Sequence, residues 1–447
     1  MSAANRRSIL LPCLTTVLFL PCAALWSLAI PPFETPDEPG HARYVNFLAA
    51  GGRLPLAGEE APGEAHQPPL YYALAAGVAR VGRLGEIPVE PVRNPRFRWY
   101  GGTQENKYLH DAAESLPPLR RLRLMSVAMG AGTAALIYLM GAGSGVLSLR
   151  SAAIAAAAAA FLPQFTFISA SLNNDNLANL FSAAALASLT AAMRRPARLA
   201  PWGVAGSFAG LGLLAKFTGL TILPCGLIAL ALARRAARRE AQPAPPARAA
   251  ALFLFPALLI PAPLLLRNVL VLGDPLGVSA LASTLPNLLD PKNLASAYFL
   301  TEFPVVLFES FWGRFGWMSF RLPAVLYLGA LAATLAAAMG LALRWLRRVD
   351  ALQPSQVLFA AAIAIQLAQI VAYNLTFTQA QGRFLFPVLG PIAILLCSGM
   401  TELARRLGGV RMNDWRGAIL IAALAAANLC ILRFVVMPGY QTAAAPP

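Results

Sequence analysis

Eleven stretches of this chain are apolar over lengths near the roughly 20 residues that carry a helix across a hydrocarbon core. They lie near 9–30, 124–142, 151–171, 177–193, 201–215, 218–233, 249–266, 322–343, 356–376, 384–403 and 417–437. Backbone N–H and C=O groups in lipid must be satisfied within the chain, which leaves a helical bundle as the solution for such a pattern. The sequence therefore predicts an all-α, polytopic transmembrane protein of about eleven spans, a single domain over 1–447, with the fifth and sixth spans the shortest. Composition agrees: 57% of the residues are hydrophobic and 13% charged, and the mean hydropathy is +0.59, outside the usage of soluble domains.

The net charge of +16 would suit a nucleic-acid ligand, but the arginines fall in clusters on alternate loops. These are Arg6/Arg7, Arg150, Arg194/Arg195/Arg198, Arg234 to Arg248, Arg344/Arg347/Arg348 and Arg405 to Arg416. That alternation is the positive-inside pattern, so no nucleic-acid partner is called for. It places the N-terminus inside and the C-terminus outside a cytoplasmic (inner) membrane. The first apolar run is long, contains prolines and lacks a small-x-small cleavage site, which reads as a retained anchor and not a signal peptide. Cys13, Cys22, Cys225, Cys397 and Cys430 all sit in apolar runs without disulfide or zinc spacing. Residues 240–247, "EAQPAPPA", read as an inner linker.

On this topology the acids sort by side. Of 20 Asp and Glu, the first outer loop (31–123) holds eleven and later outer segments hold Asp175, Asp274, Asp290, Glu302 and Glu309. All three histidines, His41, His66 and His110, also lie in that first loop. A connection of this length is functional more often than not. A second outer segment, 267–321, carries its own aromatic cluster. Within the first loop, "PGHARYVNFLAA" has helical apolar spacing and stops at Gly51-Gly52, with Asp37 as a candidate N-cap. "QPPLYYALAAGVARVG" is too short for a confident span, and both segments read as interfacial helices.

Several residues admit both a structural and a chemical reading. Asp37 and Glu38 either cap a helix and complement its dipole, or supply a carboxylate base at the membrane surface. His41, one helical turn on from Asp37, either faces solvent, orients the carboxylate, or shares a metal with it. Pro68-Pro69 is ordinary helix-start chemistry, and Tyr71-Tyr72 an aromatic belt or a substrate contact. "SLNNDNLAN" (171–179) reads first as a structural turn. Lys216, one of three lysines, needs an anionic partner so near the apolar zone, either a carboxylate or a lipid phosphate. Arg314 and Arg383 each stand among aromatics and glycines, as snorkelling residues or phosphate ligands. Gly382 would let a phosphate approach the backbone.

The order "PDEPGHARY", "HQPPLYY", "NND", "LAKFTG", "FWGRFGW", "QGRFLFP" resembles the GT-C superfamily of integral-membrane glycosyltransferases, on the branch of the protein O-mannosyltransferases and the lipid A aminoarabinose transferase. The likeness runs roughly over 9–400, and its specific parts are the acidic pair and the Pro-Pro element. It implies a polyprenyl-phosphate-linked sugar donor, a glycan, lipid or protein acceptor, Asp37 as the catalytic acid and Glu38 as the second acid of the pair. Relatives carry a lysine where this chain has Gln67, so the resemblance moves the phosphate to other cations, Lys216 and Arg383, with His66 or Arg314 as alternatives. No cofactor is required by this reading, and a divalent metal stays open. The rival reading, a transporter or lipid flippase, would call for two related halves with matching broken helices, and the sequence shows no such repeat. A non-catalytic scaffold is a third reading, which the outer charge cluster disfavours.

Overall fold

The computed structural model describes residues 3–51, 53–56, 64–98, 105–110, 116–240, 244–279, 282, 289–346, 353–409 and 413–441. Parts of the first outer loop, positions 241–243 of the linker, and Arg347, Arg348 and Arg411 of the basic clusters lie outside them.

Each of the eleven apolar runs is helical. In chain order the first helices are α1 (Ala3–Ala29), α2 (Glu38–Gly51), α3 (Leu70–Val81), α4 (Pro117–Gly143), α5 (Leu149–Ala160), α6 (Pro163–Ser169), α7 (Asp175–Arg194) and α8 (Ala200–Ala215). They are followed by α9 (Ile222–Glu240), α10 (Ala247–Leu259), α11 (Ala262–Leu272), α12 (Phe303–Trp312), α13 (Ala324–Leu346), α14 (Pro354–Asn374), α15 (Leu389–Arg406) and α16 (Asp414–Ile431). Among the described residues, eight helices are long and apolar enough to cross a membrane, and ten if each of two bent pairs counts as one span. The difference from the expected eleven is α8, whose 16 residues fall short of a full crossing.

Both bends fall at a proline, but the residue before it differs between them. Pro163 disfavours the helical region for the residue before it, and Leu162 is extended (ψ 119°), so α5 and α6 meet at 65°. Before Pro261 the backbone of Ile260 stays helical (φ −61°, ψ −48°), and α10 and α11 meet at a smaller angle, 43°. Elsewhere small residues set the distance between helices. A Cβ on Gly340 of α13 would stand 2.0 Å from the carbonyl oxygen of Gly399 on α15, so the two backbones touch directly.

The two expected helices of the first outer loop are present, close to the expected bounds. Along α2 the buried positions Glu38, His41, Ala42, Val45 and Leu48 recur at three- and four-residue steps and form one face. That face packs on α3, where Tyr44 and Tyr72 stack at 4.0 Å. A two-stranded antiparallel hairpin, Arg314–Phe315 with Phe320–Arg321, closes over the exit of α1, its Trp317 indole donating to Phe33 O at 2.9 Å.

Candidate active site

Three acids follow α1, and the fold treats each differently. Glu34 is wholly buried and accepts from the backbone N–H groups of Lys107 (3.2 Å) and Tyr108 (2.9 Å) and pairs with His110 at 3.0 Å. It fastens a distant part of the same loop to the turn. Glu38 is also fully buried. Its Oε1 accepts from Arg123 Nε (2.8 Å) and Leu172 N (2.9 Å), and its Oε2 from Arg123 Nη2 (2.6 Å) and Phe33 N (3.0 Å). Arg123 spends its other N–H groups on the carbonyls of Ser27, Ile30 and Pro31 at the end of α1. Four acceptor sites of Glu38 and five donors of Arg123 are thereby consumed, and none remains for a substrate.

Asp37 is the acid left within reach. Its side chain keeps 27% exposure, and its backbone lies in the left-handed region at φ 67°, sparsely populated for residues other than glycine. Its carbonyl accepts the first bond of α2, from His41 N at 3.0 Å. Its carboxylate does not cap that helix but meets Arg383 Nη2 at 2.5 Å. Burial alone would raise the Asp37 carboxyl, yet the Arg383 guanidinium, with Lys216 behind it, holds it down at about 2.

Arg383 is 3% exposed and also faces Asp175, with Nη1 to Oδ2 at 3.4 Å. Asp175 in turn holds Lys216, Nζ to Oδ1 at 2.5 Å. Two carboxylates and two cations thus alternate in a buried chain, Asp37, Arg383, Asp175, Lys216, which offsets the cost of charge so close to the spans. Local structure delivers each member: Asp175 opens α7, and Lys216 follows α8 with extended backbone (φ −165°, ψ 143°) before a 3-10 turn at Phe217–Thr221. Lys216 finds the anionic partner its position demands. Asp175, read from sequence as part of a turn, is the member that reading missed. The basic residue facing it, forty-odd positions away, was the signal.

Gln67 adjoins this chain. Its Oε1 accepts from Asn174 at 3.3 Å, next to Asp175, and its Nε2 lies 3.1 Å from His66 Nε2. Glu64 completes the group, its carboxyl pushed up to about 8 by burial and then by Asp37. A small pocket beside it is lined by Tyr44, His66, Gln67, Arg267 and Asn268 among others. Arg267 of α11 donates there to neutral oxygens, Pro55 O at 3.0 Å and Asn268 Oδ1 at 3.4 Å. No sequence motif marked it.

Two expected contacts sit elsewhere. Tyr71 is wholly buried, its hydroxyl bonded to Ser126 Oγ (2.8 Å) and to Asn173 N (2.9 Å), which braces the turn before α7. Arg314 lies on the hairpin beside Glu309 at 3.5 Å, and Glu309 also pairs with Arg321. Gly382 has a packing reason: a Cβ there would fall 2.1 Å from Phe311 N of α12. A separate cavity of about 890 Å³ opens between α2, α3 and residues 83–90, with Arg43, Phe47, Arg80 and Ile87 in its wall, and excludes Asp37. Among the described residues no three His, Cys, Asp or Glu side chains are grouped to hold a metal ion.

No curated protein matches the sequence. A family model described as dolichyl-phosphate-mannose-protein mannosyltransferase matches residues 118–261, a stretch that contains Arg123, Asp175 and Lys216 but neither Asp37 nor Arg383. Among solved structures, ArnT from Cupriavidus metallidurans bound to undecaprenyl phosphate aligns with a TM-score of 0.52 at 14% identity, covering 96% of this chain and 74% of that one. Its apo form aligns with the same score and identity over 99% and 75%. The Archaeoglobus fulgidus oligosaccharyltransferase tethered to an acceptor peptide is a looser match, at 0.47 and 16% over 97% of this chain and 56% of that one. The likeness to ArnT is one of fold. The family match covers residues 118–261 of the 447.

Proposed function

We propose that this protein transfers a sugar from a polyprenyl-phosphate donor to an acceptor nucleophile at the outer face of the cytoplasmic membrane, with its N-terminus inside. The observation that carries the reading is Asp37: of three acids at the exit of α1 it alone keeps exposure, on a strained backbone, against a buried guanidinium. The arginine alternation supports the orientation, and the undecaprenyl phosphate held by the ArnT structure supports the donor class.

In this mechanism the acceptor hydroxyl or amine approaches Asp37. Its proton passes to the carboxylate as the new bond forms at the anomeric carbon. The bond to the phosphate oxygen breaks, the electron pair leaves with the lipid phosphate, and the configuration inverts. A carboxylate held at about 2 is a weak base. The donor phosphate relieves this by competing for Arg383, which lets Asp37 rise toward the ordinary carboxylate range as the ternary complex assembles. Lys216, Arg383 and Arg267 supply the fixed positive charge that Gln67 does not, and so stabilise the departing phosphate. Glu38, Tyr71 and Arg314 are assigned to the scaffold that holds Asp37 and its partners in place.

The test is transfer from polyprenyl-phosphate sugars by the purified protein in nanodiscs, with Asp37→Asn alongside. Product that forms with the native chain and not with the variant is the expected outcome. Equal turnover by both would remove Asp37 from the chemistry.

A further inference from the structure

His41 presents a buried ring nitrogen that has no partner among the described residues. The residue is 2% exposed, on the buried face of α2, and its Nδ1 lies 2.9 Å from the Tyr72 hydroxyl. Its Nε2 is buried, with no hydrogen-bond partner among the described residues. The charged groups around the ring are Asp37, Lys216, Arg383 and Asp175, which are the four members of the ion chain.

The proton on the ring follows from Tyr72. That phenol is wholly buried and stacked on Tyr44 and against His41. Burial keeps it protonated by pushing its ionisation well above the ordinary value. A phenol O–H must donate somewhere, and the acceptor the structure offers is His41 Nδ1. A neutral imidazole that accepts at Nδ1 carries its hydrogen on Nε2. The ring is neutral because burial, reinforced by Lys216 and Arg383 and opposed by the acids, pushes it down to about 3.

We propose that His41 Nε2–H is a neutral hydrogen-bond donor to an oxygen of the lipid phosphate, with Tyr72 as the positioning residue that fixes the tautomer. This rests on the donor reading above and adds an atom to it. A phosphate drawn in by Lys216 and Arg383 arrives among the groups that surround Nε2, and its oxygens are strong acceptors. A neutral donor suits the place because the two cations already present disfavour a third, while an N–H costs no charge. The buried polar atom that stands orphaned in the protein is thereby satisfied in the complex.

The experiment is ¹⁵N NMR of histidine-labelled, full-length protein in nanodiscs, with His41 assigned by loss of its signals in His41→Gln. The expected spectrum shows the Nε2–H tautomer, and added undecaprenyl phosphate shifts the Nε2 resonance where excess inorganic phosphate shifts it less. Affinity for undecaprenyl phosphate should fall roughly ten- to a hundredfold in His41→Phe, the range for a hydrogen bond to a charged acceptor. Tyr72→Phe should mix the tautomers and weaken the lipid by roughly two- to tenfold, the range for a neutral bond. An Nδ1–H tautomer in the native protein, or lipid binding that leaves His41 unmoved, would overturn this inference alone. Failure of undecaprenyl phosphate to bind at all would overturn the donor reading and this inference with it.

Discussion

Asp37 and Glu38 are adjacent, both end on an arginine, and both arginines are almost wholly buried, at 3% and 1% side-chain exposure. What separates them is how many bonds are spoken for. The Glu38–Arg123 pair is saturated by backbone groups from α1, the acid turn and Leu172, so it behaves as a rivet. Among the described residues, the Asp37–Arg383 pair leaves one carboxylate oxygen uncommitted, and Arg383 Nη1 makes only a long ionic contact to Asp175 with no hydrogen bond. Chemistry needs a group that can change partners, whereas a scaffold needs one that cannot. In the proposed mechanism, two residues of the same charge, one peptide bond apart, are divided between these tasks by their surroundings.

The comparison breaks most visibly in catalysis. Asp37→Asn should cost about 10²- to 10⁴-fold in turnover, the range for loss of a general base, with a smaller loss of thermal stability than Arg123→Met because Arg383 keeps Asp175 beside it. Arg123→Met should do the reverse. It strands a buried carboxylate and frees the carbonyls ending α1, and one-sided removal of a buried pair costs about 3–5 kcal/mol. Denaturation should report that loss, while the folded fraction keeps its rate. If Arg123→Met were as stable as the native chain and Asp37→Asn were not, the two roles would be exchanged.

Smaller effects sharpen the picture. Lys216→Met and Arg267→Met should each weaken undecaprenyl phosphate binding roughly ten- to a hundredfold, as expected for a charge-assisted contact. Unchanged affinity in both would put the phosphate elsewhere. Arg383→Met should move the acid limb of the kcat/KM profile. The guanidinium is what depresses Asp37 to about 2, and without it burial raises the carboxyl. Activity should therefore be lost at a higher pH as the solution is acidified, and an unmoved limb would uncouple the two residues. Gln67→Lys should change least, leaving turnover intact and tightening the lipid modestly, since the lysine would enter beside Glu64.

Much of the bundle was legible because its signals are local. Apolar length marked the eleven long helical runs, though not α12, and the spacing of α2 was read up to its Gly51-Gly52 stop. The place of Asp37 at the end of a span was legible in the sequence, and its pairing with Arg383 was not. What escaped were pairings between distant positions. Arg123 reads as one more arginine in the "RRLR" opening of α4, and nothing near it announces Glu38, 85 positions earlier. Asp175 looks like a turn former until Lys216 is placed opposite. Tyr71 and Gly382 were given chemical readings by their motifs, yet the bonds and contacts around them are those of packing. Arg267 lies in an apolar helix with no motif, and only the fold brings it to Gln67.

The saturated rivet has a mechanical consequence. Through Arg123 the last carbonyls of α1, the first turns of α4 and the start of α2 are joined at one guanidinium, and Asp37 is the next residue along. Helices adapt to a thicker or thinner bilayer by changing their tilt. On this geometry a shift of α1 against α4 is expected to reach Asp37 as a displacement relative to Arg383. In the proposed mechanism the depth and spacing of Asp37 and Arg383 would then follow the thickness of the surrounding lipid, and the hydrocarbon that houses the protein would also gauge its site.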